Sequence, residues 1–297
     1  MGQSGTKGLK WLGAGLGFAA LWASASTATK IGLQSAQPLV IAVVRFGMAA
    51  IIMLIIAHGL QRNRLPQGDE WKKLAIYGLL NITVYLGLYV VAMQNVTAGI
   101  GALAVATNPV LISFLSVLFL KAKLSPAIII SLIICTGGVL CAAWPLLGGA
   151  ELTTGGLVIM LLSMLSYSVG AIYFSKNKWE GLSLFTINGW QTFLGGLFLA
   201  PFTLFFFKPD ANTWNDEFWL SVSWLAIPVS IGAVQLWLWL LQRNPVRAGF
   251  WLFLCPLFGF AFAAWWMGDR ISWYTIVGVV LVIGGLILSR RKVARKS

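Results

Sequence analysis

The chain has 297 residues, 59% of them hydrophobic and only 10% charged. A soluble domain carries about 25% charged residues, so a water-soluble fold is excluded and a lipid-embedded one is expected. The net charge of +13 would suit nucleic acid if it lay on one surface, but it is spread through short loops, which points to membrane topology and anionic lipid.

Met1 to Lys10 is a short polar lead with Lys7 and Lys10. Gly2 and Thr6 fit the short, common N-myristoylation pattern, which is set aside. The first apolar segment is 11–33. Its basic lead and Ala23-Ser24-Ala25 also describe a cleaved signal peptide. Cleavage would leave nine helices and break the repeat described below, so an uncleaved first helix is expected. Further segments near the ~20 residues that span a bilayer fall at 38–60, 72–93, 97–120 and 125–144. After the polar break LGGAELTTGG come 154–175, 183–206, 219–241, 246–267 and 271–289. The expected fold class is an all-α polytopic membrane protein with ten transmembrane helices.

Alternate loops hold Lys7 and Lys10; Arg62, Arg64, Lys72 and Lys73; Lys121 and Lys123; Lys176 and Lys178; Arg243 and Arg247; and Arg290, Arg291, Lys292, Arg295 and Lys296. These are 17 of the 21 cations, against Lys208 and Arg270 on the opposite side. The positive-inside rule then puts both termini in the cytoplasm.

Pro109, Ser125, Ile129 and Gly137-Gly138 recur 147 residues on as Pro256, Ser272, Ile276 and Gly284-Gly285, and Ala98-Gly99 recurs 150 on as Ala248-Gly249. Each copy has a proline inside an apolar helix, a very short basic loop, a serine at the next helix start and a glycine pair near its far end. The coincidence argues for an internal duplication, with units at 8–147 and 154–290. Five helices per unit is an odd number, so the second unit enters the membrane upside down. Inverted repeats place a substrate site near the midplane between halves that rock, which points to a transporter working by alternating access.

Arg45 sits seven residues into the second segment, roughly 10 Å deep at 1.5 Å per residue. Two readings stand side by side: an anchor for a substrate carboxylate, or a snorkelling or carbonyl-bonded structural arginine. Asn81 and Tyr85 are four residues apart on one helix face, and the offset of 150 carries Tyr85 onto Gln235. Ser163 with Tyr167, and Trp22 with Ser26, form similar pairs. Any one of these side chains fits helix–helix hydrogen bonding. Together they are the expected substrate-binding lining of a cavity among the first, third, fourth, sixth, eighth and ninth helices. Pro109 and Pro256 each remove a backbone hydrogen bond near the midplane and are expected to act as hinges.

Most of the 15 tryptophans, Trp144, Trp179, Trp214 and Trp273 among them, sit at segment ends and read as interfacial belts. Trp22 is the mid-membrane exception. Cys135, Cys141 and Cys255 lie in apolar runs and read as packing residues, with no disulfide or metal site expected. The one histidine, His58, and the confinement of all acids to loops or their edges leave no nucleophile–base or metal constellation. Neither catalytic residues nor a cofactor are expected, nor is a buried proton-relay acid.

LWASASTATK in the first segment, Arg45-Phe46 in the second, the mid-helix prolines and the Ser…Gly-Gly copies resemble the drug/metabolite transporter superfamily, EamA type. Within it the chain is similar to the ten-helix bacterial exporters of aromatic and other neutral amino acids. The resemblance implies an exporter of small neutral amino acids in the bacterial inner membrane, a monomer or weak homodimer. Its expected partners are a small-molecule substrate and membrane lipid, without nucleic acid. Another small metabolite or drug is the alternative substrate class; an intramembrane enzyme or a channel are the alternative functions. The acid usual after the proline helix stands here as Asp269, whereas its first-repeat counterpart is Ala122.

Overall fold

Apolar runs become helices where a polar side chain closes their first turn. Thr153, Ser183, Asn215 and Asn244 each accept a hydrogen bond from the backbone N–H three residues on, at 2.9–3.1 Å, which satisfies an otherwise orphaned donor. The repeat mates Ser125 and Ser272 do the same for Ile128 and Thr275, at 3.4 and 3.2 Å. The computed structural model describes residues 2–96, 98–147, 153–179, 181–267 and 272–290.

Among these residues the helices form ten successive rods: α1 Gly2–Gly32, α2 Pro38–Leu54 with a π-helical extension Ile55–Leu60, α3 Asp69–Ala92, α4 Ala98–Val105 and Asn108–Leu120, α5 Pro126–Leu147, α6 Thr154–Lys176, α7 Leu184–Phe205, α8 Asp216–Leu241, α9 Pro245–Met267 and α10 Trp273–Arg290. Seven of these are long and apolar enough to cross a membrane, by length and composition. Among the rods that start before the expected boundary are α3 and α8, each by three residues. Asp69-Glu70 and Asp216-Glu217 occupy the first turns of α3 and α8, where acids favour the helix N-terminus; a search for apolar runs passes over them. Asp269, Arg270, Glu151, Glu180 and the basic run 291–296 lie outside the described residues.

Polarity is distributed as a lipid solvent requires. Arg45, Asn81, Asn108, Ser163, Asn188, Gln191 and Ser230 are buried, whereas Phe114, Leu118, Ile133, Leu204, Leu220 and Val280 are exposed. Hydrocarbon satisfies no hydrogen bond, so polar groups turn inward and apolar ones outward.

Corresponding helices of the two copies pair with each other: α2 packs along α7, and α5 along α10. The remaining six exchange partners, α1 packing with α8 and α9 and α6 with α3 and α4. The result is two three-helix bundles, α1–α8–α9 and α6–α3–α4, flanking the paired rods. Along the α5–α10 seam a β-carbon on Gly138 would lie 2.9 Å from Gly278 O, and one on Gly285 would lie 3.2 Å from Ser131 O. Cys135 Sγ contacts Val282 O at 3.6 Å. As residue numbers rise along α5 they fall along α10, so the two rods are antiparallel. The offset of 147 turns the Gly138–Gly278 contact into the Gly285–Ser131 contact and carries Cys135 onto Val282 itself. A local pseudo-twofold axis therefore passes beside Cys135.

Only the second glycine of each pair serves this seam. Atoms beside Gly137 and Gly284 leave open space, whereas a β-carbon on Gly138 meets backbone at 2.9 Å. Gly138→Ala is therefore expected to cost about 1–3 kcal/mol through overpacking. Gly137→Ala is expected to be neutral or to stabilise the helix by about 0.5–1 kcal/mol. Thermal unfolding of the two variants in detergent checks the contrast.

Loop contacts sort the ends of the rods into two faces. On one, Asn63 donates to Ser183 Oγ at 2.9 Å and Lys73 to Lys178 O at 3.4 Å. On the other, Thr213 N–H donates to Ser35 O at 2.7 Å and Gln37 N–H to Asn212 Oδ1 at 2.9 Å. Gln242, next to Arg243, joins the first face by lining a shared cleft with Asn177, Trp179 and Gly181.

Candidate functional site

A small cavity lies where the two bundles meet. Trp22, Ala23, Ala25 and Ser26 of α1 and Cys255 of α9 line it from one bundle; Tyr85, Leu86 and Tyr89 of α3 and Val105 of α4 line it from the other, and Arg45 enters from α2. Its volume open to the centre of a water molecule is about 10 Å³, room for one water.

Both repeat prolines border this place, because the helix breaks just ahead of each. In α4 the N–H groups of Ala106 and Thr107 bond to Leu103 O and Ala104 O at 3.0 Å, a tighter turn, and the helix restarts at Asn108 with Pro109 in its first turn. Asn108 ties the break to α6, accepting from Ser168 Oγ at 3.0 Å. In α9 a 3-10 stretch, Phe250–Phe253, precedes Leu254–Met267, which carries Pro256. Mid-rod 3-10 turns are typical of hinges, and discontinuous helices of transporter sites. The prolines thus sit where a helix restarts and not in the middle of a continuous bend. Their fixed φ suits a first turn, and removing it loosens that turn. The double variant Pro109→Ala, Pro256→Ala is expected to slow turnover by about tenfold with little change in substrate affinity; separate measurement of transport rate and binding checks this.

Arg45 is 2% exposed. Its Nε donates to Ser230 Oγ at 2.8 Å, and its guanidinium carbon lies 5.4 Å from the centre of the Phe46 ring. Among the described residues no hydrogen bond or ion pair reaches its two terminal nitrogens. Behind it runs a polar chain. Ser230 O accepts from Asn188 at 2.9 Å, Asn188 Oδ1 from Gln191 at 2.9 Å, and Gln191 Oε1 from Asn81 at 3.1 Å. Asn81 and Ser230 belong to π-helical stretches, Leu79–Val84 in α3 and Leu225–Ala233 in α8, the latter containing Pro228. The repeat offset brings these stretches into register, so both copies widen the helix at the same level.

An aromatic layer closes the cavity on one side. Tyr85 and Tyr167 lie 4.7 Å apart, Trp22 and Tyr167 5.9 Å, Tyr167 and Trp237 5.6 Å, and Phe18 and Trp237 4.9 Å, all between ring centres. Phe18, Trp22 and Trp237 belong to one bundle and Tyr85 and Tyr167 to the other. Bundle separation would therefore have to part these rings.

Of the expected site residues, Trp22, Ser26, Arg45 and Tyr85 line the cavity, and Tyr167 adjoins it through its ring. Asn81 stands behind Arg45 in the polar chain. Ser163 is buried on the face of α6 that carries Tyr167, its hydroxyl without a partner among the described residues. Gln235 is half-buried and donates to Leu184 O at 3.2 Å, away from the cavity. Trp237, two residues on, takes the inward place. Tyr89, Cys255, Asn188, Gln191, Ser230 and Trp237 were missed. Asn188 and Gln191, three apart in an apolar helix, carry the same signal as Asn81 and Tyr85, and Cys255 was set aside as packing. Trp179 is not a lipid-facing anchor: it is buried, donates to Phe174 O at 3.0 Å and stacks on the Phe174 ring.

Outward apolar surface, paired corresponding helices and a largely apolar cavity with one buried arginine beside broken helices fit a membrane transporter. The model of the EamA-like transporter family matches residues 9–144 and again 154–291. The chain belongs to that family and holds two copies of its repeat. It is 29% identical over 284 residues to Protein PecM of Dickeya dadantii, covering 92% of each chain. It is 24% identical over 288 residues to the uncharacterized transporter YoaV of Bacillus subtilis, covering 92% of this chain and 96% of that one. A chain of known crystal structure superposes with a TM-score of 0.76 at 19% identity, covering 93% of this chain and 95% of that chain, a likeness of fold.

Proposed function

We propose that this EamA-family transporter exports small neutral amino acids, aromatic ones included, across the bacterial inner membrane by alternating access. In this reading all ten rods span the bilayer as two inverted five-helix repeats, 8–147 and 154–290, with both termini in the cytoplasm. The protein works as a monomer or weak homodimer, with no cofactor and no catalytic chemistry. The observation that carries the reading is Arg45: a buried cation without a counter-anion among the described residues, lining a cavity walled by Trp22, Tyr85 and Tyr89. A charge held there is costly, and a substrate carboxylate offsets it while the aromatic walls take the side chain. Orientation rests on the basic face. Uptake of a panel of labelled amino acids into proteoliposomes, beside protein-free vesicles, tests it; saturable flux of none of them rejects this substrate class.

Transport is expected to need no imposed proton gradient. Asp69, Asp210, Asp216 and Glu217 are exposed at rod starts or in loops, and Glu70 is held by Arg64 and by Gln67 N–H at 2.7 Å. His58 accepts from Trp190 Nε1 at 3.0 Å while its other nitrogen faces Asn63 O at 2.9 Å. Counterflow is expected to proceed at equal pH on both sides. Uphill accumulation driven by a pH gradient alone, and retained in His58→Ala, would count against it.

A further inference from the structure

We infer that Asn188 is a positioning residue for Arg45: it holds the wide turn of α8 on which Ser230 stands, and so fixes the plane of the guanidinium that lines the cavity. The consequence for transport rests on the reading of Arg45 as the carboxylate anchor. The positioning itself rests on the hydrogen bonds alone.

In an α-helix the Val234 N–H would donate to Ser230 O, four residues back. In α8 it donates to Ile231 O and to Val229 O, five residues back, as the π-helical turn requires. Pro228, inside the same stretch, brings no N–H of its own. Ser230 O therefore loses its α-helical donor, and Asn188 of α7 gives it one at 2.9 Å. Both residues are buried, where an unmet polar group is costly.

A carbonyl only accepts, so the Asn188 amide must turn its nitrogen to Ser230. Its Oδ1 is left for Gln191 at 2.9 Å and Thr192 Oγ1 at 3.4 Å, and Gln191 Oε1 is left for Asn81 at 3.1 Å. The chain thus braces Asn188 from behind and brings no negative charge toward Arg45. On the other side of Ser230, Oγ accepts from Arg45 Nε at 2.8 Å. A guanidinium is planar, so holding Nε sets the plane in which the two terminal nitrogens meet a ligand. Those two have no partner among the described residues. Asn188 touches neither Arg45 nor the cavity lining; it acts through Ser230.

Proton-exchange spectra of the full-length protein in detergent, isotope-labelled at arginine Nε and tryptophan Nε1, test the positioning without any substrate. The Arg45 Nε–H signal, identified by its loss in Arg45→Gln, is expected to exchange slowly in wild type. In Asn188→Leu it is expected to exchange at least about tenfold faster. Trp179 Nε1–H, held by Phe174 O at 3.0 Å, is the reference and is expected to stay within about twofold. Asn188→Ser is the second variant, since its hydroxyl can still accept from Gln191 but stops one bond short of Ser230 O. In proteoliposomes the KM of whichever panel amino acid is carried is expected to rise about tenfold in either variant, with kcat within about twofold. The double variant Arg45→Gln, Asn188→Leu is expected to match Arg45→Gln within about twofold, because a residue acting through Arg45 adds nothing once Arg45 is gone. Four results overturn the inference: no slow Arg45 signal in wild type, unchanged Arg45 exchange in the Asn188 variants, equal acceleration at Trp179, or penalties that multiply in the double variant. If no panel amino acid is carried, the substrate class is rejected and the exchange rates still decide the positioning.

Discussion

Arg45→Gln is expected to cut transport by about 100-fold while leaving the empty protein as stable as wild type, or more so. Two terminal nitrogens without a partner among the described residues can give a carboxylate two charge-assisted hydrogen bonds. Bonds to charged groups are worth about 1.5–3 kcal/mol each, so losing them costs about 3 kcal/mol and hence about 100-fold. Stability moves the other way. A cation buried without a counter-charge carries a desolvation penalty of several kcal/mol, and glutamine removes the charge while keeping a donor for Ser230 Oγ. An arginine retained for structure would behave in the opposite sense, with a fall in stability and transport lost only in proportion to the folded fraction. Counterflow rate and thermal midpoint, measured on the same preparation, separate the two. A destabilised variant with normal transport per folded molecule would remove Arg45 from the site.

Gly195→Val is expected to unfold the α3–α7 crossing or to stop the protein accumulating in the membrane. A β-carbon at Gly195 would lie 2.5 Å from Ile82 Cβ and 2.6 Å from Gly78 O, and one at Gly78 would lie 2.5 Å from Gln191 O. Backbone is met on both sides, so no rotamer change relieves the clash. Close approach of small residues is what holds membrane helices together where no hydrophobic force acts between them. It also lets Thr83 Oγ1 reach Gly195 O at 2.8 Å and Asn81 reach Gln191. Overpacking costs about 1–3 kcal/mol for a single added methylene, and valine adds more. Gly13, with open space beside it, is the control: Gly13→Val is expected to leave yield and thermal midpoint near wild type. Equal yields of the two valine variants would show that the crossing tolerates separation.

The sequence by itself determined the solvent and the duplication, and it pointed to four of the residues that line the candidate cavity. Hydropathy chooses lipid over water because a charged fraction of 10% cannot clothe a soluble surface. The repeated Pro, Ser and Gly-Gly marks are local requirements of a helix restart, an N-cap and a close crossing, so they survive in the chain as letters. Trp22, Ser26, Arg45 and Tyr85 were legible because a polar or amphipathic group at membrane depth must face protein or water. Which polar group faces the cavity was not legible. Gln235 and Trp237 are two residues apart on α8, and only the rotation of that rod against α6, after its π-helical stretch, turns the tryptophan inward. The exchange of α1 and α6 between bundles was not legible either, and the chain from Asn81 through Gln191, Asn188 and Ser230 to Arg45 joins residues up to 185 positions apart. Periodicity sets the face of one helix at a time; the partner across that face is decided by packing, which belongs to the tertiary structure alone.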